Sequence, residues 1–173
     1  MQMAASRSVV ICALLLSFAL HVDAQQTAHV SPAGTKFLLY TPPGYPSSSP
    51  SYPLLISLHS KGEVGFDLSE LTSKNPEQMP CRLIHLNRWP RHLPFIVLTP
   101  QLKPDPNDPE IQWSAAYIDE VVNDVIKNFR VDLQRIYVTG ISRGGTGTWT
   151  YTSSYPDKIA AIVTLSGRSD LTQ

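Results

Sequence analysis

Cysteine is scarce in this 173-residue sequence, which has only Cys12 and Cys81. With histidines scattered and thiols this few, no metal-ligand spacing occurs, so neither a zinc site nor any other metal is expected. Charge of one sign is lacking too: fourteen Lys and Arg offset fourteen Asp and Glu, with no basic stripe. That balance excludes the usual footprint of a nucleic-acid or anionic-membrane partner. The glycine-rich run Gly140–Gly147 is followed by no Gly-Lys-Ser/Thr, so it is not a phosphate-cradling loop, and no cofactor is implied. Asn-x-Ser/Thr sites, internal repeats and a domain-scale linker are also absent. The most consequential absence is local. No histidine follows Ser142.

What is present fits one globular domain, 42% hydrophobic and 16% charged. Arg7, the apolar run Val9–Leu20 and the small residues Val22 and Ala24 have the form of a secretory signal peptide over residues 1–24. The run is shorter than the roughly 20 residues a membrane span needs, so secretion without a stable membrane anchor is expected. Cys12 falls in that leader and leaves Cys81 alone, either as a buried thiol or with a partner outside this sequence.

Fifteen prolines fall mostly between apolar runs and punctuate loops. Thr35–Tyr40, Pro53–His59, Phe95–Thr99, Arg135–Thr139 and Ile159–Leu165 read as strands, the second and third with the near-continuous apolar pattern of a buried parallel sheet. Ser114–Phe129 reads as a helix with one apolar stripe through Ile118, Val121, Val122, Val125, Ile126 and Phe129. Thr146–Tyr155 reads as another. Strands alternating with helices predict an α/β fold: a mostly parallel sheet with helices on both faces. Trp89, Trp113 and Trp149 line a pocket or, as is more common, pack inside.

The strand Arg135–Thr139 runs into Gly140-Ile141-Ser142-Arg143-Gly144. A Gly-x-Ser-x-Gly turn between a strand and a helix has the form of a nucleophile elbow. Small residues at Gly140 and Gly144 permit the bend, and Gly145 lets the next helix approach the sheet. Ser142 is then a candidate nucleophile that needs a base to take its proton. His59-Ser60-Lys61-Gly62-Glu63 follows the first long strand, where such folds place an oxyanion loop. On that reading the backbone N–H groups of Lys61, or its neighbour Gly62, and of Arg143 hold an oxyanion; the alternative is a plain strand-end turn in which His59 is a packed, hydrogen-bonded core residue, and His59 is not read as the base.

The set Leu54–His59 with Gly62-Glu63, Thr99-Pro100-Gln101, Trp113, Arg135–Gly145 and Tyr155–Ala161 resembles the esterase and peptidase-like branch of the α/β-hydrolase fold. That branch includes poly(3-hydroxybutyrate) depolymerase-like, feruloyl esterase-like and phospholipase/carboxylesterase-like proteins. The resemblance implies hydrolysis of a small-molecule or polymeric ester or amide through an acyl-enzyme on Ser142. Two departures stand out. The family loop begins His-Gly where this chain has His59-Ser60, which puts a Cβ where a positive φ would be costly. The family's acid and histidine follow strands that come after the elbow, and this sequence holds no histidine there. Residues 25–173 are therefore expected to be the N-terminal part of a hydrolase domain with its last strand at an apolar sheet edge, and to show only trace esterase activity alone. An inactive, hydrolase-shaped binding protein is the alternative. Among the present residues, Asp170, His85 and His92 are weak substitutes for the acid and base.

Overall fold

A computed structural model describes residues 26–74, 76 and 79–169. The leader, 1–24, and Asp170 lie outside the described residues. Six strands form one sheet in the order β1-β2-β4-β3-β5-β6: β1 Gln26–Val30, β2 Lys36–Tyr40, β3 Tyr52–Leu58, β4 Ile96–Pro100, β5 Val131–Ile141 and β6 Ala161–Leu165. β4, β3, β5 and β6 run parallel, while β1 and β2 pair antiparallel at one side. Four helices accompany them: α1 Ser69–Ser73, α2 Pro80–His85, α3 Ala115–Asn128 and α4 Arg143–Ser154.

The alternation of side chains along a strand divides the core into two layers. Leu54, Ile56 and Leu58 of β3 share one face with Ile96 and Leu98 of β4 and Ile136 and Val138 of β5. That face meets Ile118, Val121, Val122 and Val125 of α3 and Tyr151 of α4. The other face carries Val97 and Tyr40 against Ile84 of α2, with Leu55, Trp89 and Phe95 around them. Helices thus cover both faces of the sheet, as the sequence pattern predicts.

The helix α3 matches its predicted stripe. Its N-cap Ser114 accepts a hydrogen bond from Tyr117 N–H at 3.2 Å, which satisfies one of the first-turn donors. The structure differs from expectation in several places. β5 begins four residues earlier, because Val131 pairs with Tyr52 across a register shift that a linear pattern does not reveal. α4 begins at Arg143, directly after the elbow, not at Thr146. β1 has too little apolar alternation to be read at all; pairing with β2 defines it, and His29 stacks on Phe37 at 5.2 Å.

β6 closes the sheet with β5 as its strand neighbour among the described residues, and its Val163 and Leu165 are 62% and 45% exposed. Cys81 is fully buried, with its thiol 3.4 Å from the Leu71 carbonyl, which fits the buried-thiol reading.

Ile56 is wholly buried at the centre of β3, between β4 and β5. Ile56→Ala is expected to lower unfolding free energy by about 2–5 kcal/mol, since a packed sheet centre cannot collapse around the cavity. Urea denaturation followed by circular dichroism measures this; a loss within error would show that β3 is not the core's centre.

Candidate active site

β5 ends at Ile141 and α4 starts at Arg143, so the turn from strand to helix rests on Ser142 alone. Its backbone sits at φ 53° and ψ −113°, outside the ordinary regions for a residue with a side chain. Such strain costs about 1–3 kcal/mol and persists only where the surroundings impose it. Here Ser142 N–H donates to Leu165 O at 2.8 Å at the end of β6, and Ser142 O accepts from Thr146 N–H at 3.0 Å inside α4. The side chain is exposed.

Gly140 and Gly144 permit the bend, but by close approach and not by a positive φ. A Cβ on Gly140 would overlap the Gly144 carbonyl. One on Gly144 would overlap the Leu58 carbonyl and lie 2.7 Å from His59 O. The first turn of α4 therefore rests on the backbone at the end of β3, where the His59–Glu63 loop begins.

That loop is a short 3₁₀ turn, Lys61–Glu63, capped at Ser60. Ser60 has φ −86° and ψ −172°, ordinary extended backbone, so the serine that departs from His-Gly carries no strain. The Glu63 carboxylate reaches back to accept from Ser60 N–H at 2.8 Å, one arm of a capping box. Burial pushes the Glu63 carboxyl up, against the opposing pull of that backbone bond. The Gln101 side-chain amide donates to Glu63 O, and Gly65 N–H donates to Leu102 O at 3.1 Å.

His59 is the hub beneath the loop. Its Nε2 accepts from Leu102 N–H at 2.9 Å, so the ring proton sits on Nδ1, which donates to Ser60 O at 2.7 Å. Trp113 Nε1 donates to the His59 carbonyl at 3.1 Å, and its ring meets the imidazole edge-on. Burial pushes the His59 pKa down to about 4; the Ser60 bond opposes this and the Arg143 charge adds to it. A neutral imidazole with both nitrogens engaged is a structural residue, as expected, and its 3.8 Å approach to Glu63 is not an ion pair.

Lys61 and Gly62 occupy the first positions of the 3₁₀ turn and Arg143 the first of α4, where backbone N–H groups find no acceptor within their own helix. The side chains of Lys61 and Arg143 converge on a residue that the sequence pattern does not single out. Arg143 Nη2 donates to Glu110 Oε2 at 3.0 Å, and Lys61 Nζ donates to Glu110 Oε1. The Lys61 ammonium, then Arg143, holds the Glu110 carboxyl below the usual range. Glu110 stands in a Pro/Asp loop whose turn residues hide one useful carboxylate among solvated ones.

The other candidates stand apart. His92 precedes β4 and His85 ends α2, which leads into it; β4 runs parallel to β5, so both lie toward the sheet end opposite Ser142. Trp113 is buried in the core. Trp89 lines a small cavity of about 30 Å³ with Tyr40, Ile84, Asn87 and Arg91, on the face away from α3 and α4, while Trp149 is half-buried in α4. No group of three or more His, Cys, Asp or Glu among the described residues could hold a metal. No described helix is long and apolar enough to cross a membrane.

The fold as a whole matches known proteins. A thermostable esterase superposes with a TM-score of 0.63 at 25% identity, over 87% of this chain and 42% of that one. The chain has the α/β-hydrolase fold. The acetyl xylan esterase from Aspergillus awamori gives 0.58 at 18% identity, over 85% of this chain and 53% of its own. In sequence, a Nocardia uniformis subsp. tsuyamanensis protein named as an esterase, NocK, is 25% identical over 134 residues, 76% of this chain and 38% of that protein. The bifunctional acetylxylan esterase/xylanase XynS20E of Neocallimastix patriciarum is 26% identical over 137 residues, 78% of this chain and 18% of its own. The chain thus spans well under half of each curated relative. No protein-family model matches it.

His59 binds fewer protons folded than unfolded between about pH 4 and 6.5. Its contribution is therefore complete above pH 6.5 and falls as the pH drops toward 4, by about 3 kcal/mol. Urea titrations at pH 7 and pH 4 on the protein and on His59→Gln isolate this share. Equal pH dependence in both would refute the neutral, buried imidazole.

Proposed function

We propose that the protein is a secreted serine hydrolase of carboxylic esters, with Ser142 as nucleophile. The observation that carries this reading is the strained, exposed Ser142 between β5 and α4, one residue before the helix turn that packs on the backbone ending β3. The relatives named as esterases support the same class. In the first step Ser142 Oγ attacks the ester carbonyl carbon as a base takes its proton. The C=O electron pair moves onto oxygen, and the backbone N–H groups of Arg143 and of Lys61 or Gly62 receive that oxyanion. Collapse expels the alcohol and leaves an acyl-enzyme, which water then hydrolyses.

None of the described histidines suits the role of base. His59 is locked in its hydrogen bonds, His85 and His92 lie toward the far end of the sheet, and His29 is stacked on Phe37. In our reading the base is a histidine, oriented by an acid, in sequence beyond residue 173, and the leader 1–24 directs export. An ester linked to a small or a polymeric alcohol fits the names of the relatives; the chemistry at Ser142 is the same for both.

An added base replaces a missing one. A fluorophosphonate probe is expected to label Ser142 slowly in this chain, and imidazole to speed labelling by on the order of tenfold, a modest part of what a positioned base supplies. Ser142→Ala abolishes labelling. Should no label reach Ser142 with or without imidazole, the serine is an ordinary turn residue, as the inactive binding protein would require.

A further inference from the structure

The two proposed oxyanion donors belong to different elements, the loop after β3 and the first turn of α4. Their separation decides whether an oxyanion receives two hydrogen bonds or one. The backbone contact of Gly144 with Leu58 and His59 sets the distance between the elements, and bonds to Ser60 N–H and Gln101 tie down the Glu63 end of the 3₁₀ turn, but neither acts on Lys61 at its exposed start. A tie on the Lys61 side completes the frame.

Glu110 stands there. Its two carboxylate oxygens each take one cation, Oε1 from Lys61 on the loop and Oε2 from Arg143 on the helix. We propose that Glu110 is a positioning residue that fixes the spacing of the two oxyanion donors by gripping the side chains of Lys61 and Arg143 together. This rests on the reading of Ser142 and the Lys61 loop as an ester-hydrolysing site.

Three features of the structure favour a clamp over a chance surface pair. First, the cations are the side chains of the same residues, Lys61 and Arg143, that are proposed as oxyanion donors, so each grip acts within one residue of a proposed donor. Second, the Arg143 side chain is only 5% exposed, whereas Glu110 and Lys61 are 65% and 60% exposed. An exposed pair alone contributes little, but a guanidinium held out of water depends on its carboxylate for orientation. Third, the loop that carries Glu110 is itself anchored. Leu102 N–H and Trp113 Nε1 both bond to His59, and Tyr117 OH donates to Gln101 O at 2.7 Å. Between those anchors, Asn107 N–H donates to Asp105 Oδ1 at 2.9 Å, Glu110 N–H to Asp108 Oδ1 at 3.0 Å and Ile111 N–H to Asp108 O at 3.1 Å. The carboxylate is presented from a rigid turn.

The clamp and a purely electrostatic role predict opposite signs. If only charge mattered, removing Glu110 would leave two cations beside the developing oxyanion and speed attack. If spacing matters, removal slows attack, because displacement of about 1 Å at a reacting centre costs on the order of a hundredfold.

The test compares the chain with Glu110→Gln and Glu110→Asp by hydrogen–deuterium exchange and by imidazole-assisted fluorophosphonate labelling of Ser142. Glu110→Gln is expected to speed amide exchange at 60–63 and 143 and to slow labelling, each on the order of tenfold. The thermal midpoint stays near that of the parent, as suits an exposed side chain. Glu110→Asp, which keeps two charged oxygens, recovers part of both. Unchanged exchange, or labelling as fast as or faster than the parent's, overturns the proposal. A parent chain that never labels defeats the reading of Ser142, while exchange at 60–63 and 143 still decides whether the clamp exists.

Discussion

The structure depends on one contact between backbones: the first turn of α4 lying against the carbonyls that end β3. Two glycines make it possible, since a methyl group on either Gly140 or Gly144 would occupy space already filled by main-chain atoms. The contact has consequences at two scales. It sets the height at which α4 crosses the sheet, and so the packing of Tyr151 and α3 on the same face. It also forces the chain to leave β5 and enter α4 through one residue, and that residue is Ser142. Its positive φ is the product of a packing demand made on both sides of it.

A strained turn needs a rigid frame, and much of the rigidity here is polar. His59, Glu63, Gln101 and Trp113 form a buried set in which each side-chain donor has an acceptor, and the bonds of Gln101, His59 and Trp113 tie the loop after β3 to the segment after β4. Low dielectric strengthens such bonds and makes their loss costly. A buried imidazole held neutral looks wasteful for a residue that so often titrates, yet it carries one donor and one acceptor at fixed positions. That suits a post between Ser60 and Leu102. The same burial that unfits His59 as a base makes it a good support for the loop above it.

Much of this was legible in the sequence. Continuous apolar runs marked β3 and β4, a clean 3.6-residue stripe marked α3, and the Gly-x-Ser-x-Gly between a strand and a helix marked the elbow. Each is a local pattern whose physical cause lies within a few residues. What could not be read depends on distant partners. β1 is polar and half-exposed, and it is a strand only because β2 is beside it. The first four residues of β5 pair with Tyr52 through an irregularity. Ser60 looked like an impediment because the pattern assumes a left-handed loop, whereas the capping box turns that serine into an extended cap. Glu110 carries no signal at all, because its contacts depend on where Lys61 and Arg143 end up.

The same distinction bears on the proposed chemistry. The proposed nucleophile and oxyanion donors lie at the junctions after β3 and β5, so local packing is enough to arrange them. A general base must arrive from a separate segment and be aimed by a third group, which makes it the part most easily separated from the rest. Electrostatic stabilisation of an oxyanion survives that separation: hydrolases stripped of a triad member still retain about 10³–10⁴-fold rate enhancement over water. On the proposed reading the site has its stabilising half in place whatever supplies the proton transfer, and the spacing of the two proposed donors, more than the serine itself, sets how much that half is worth.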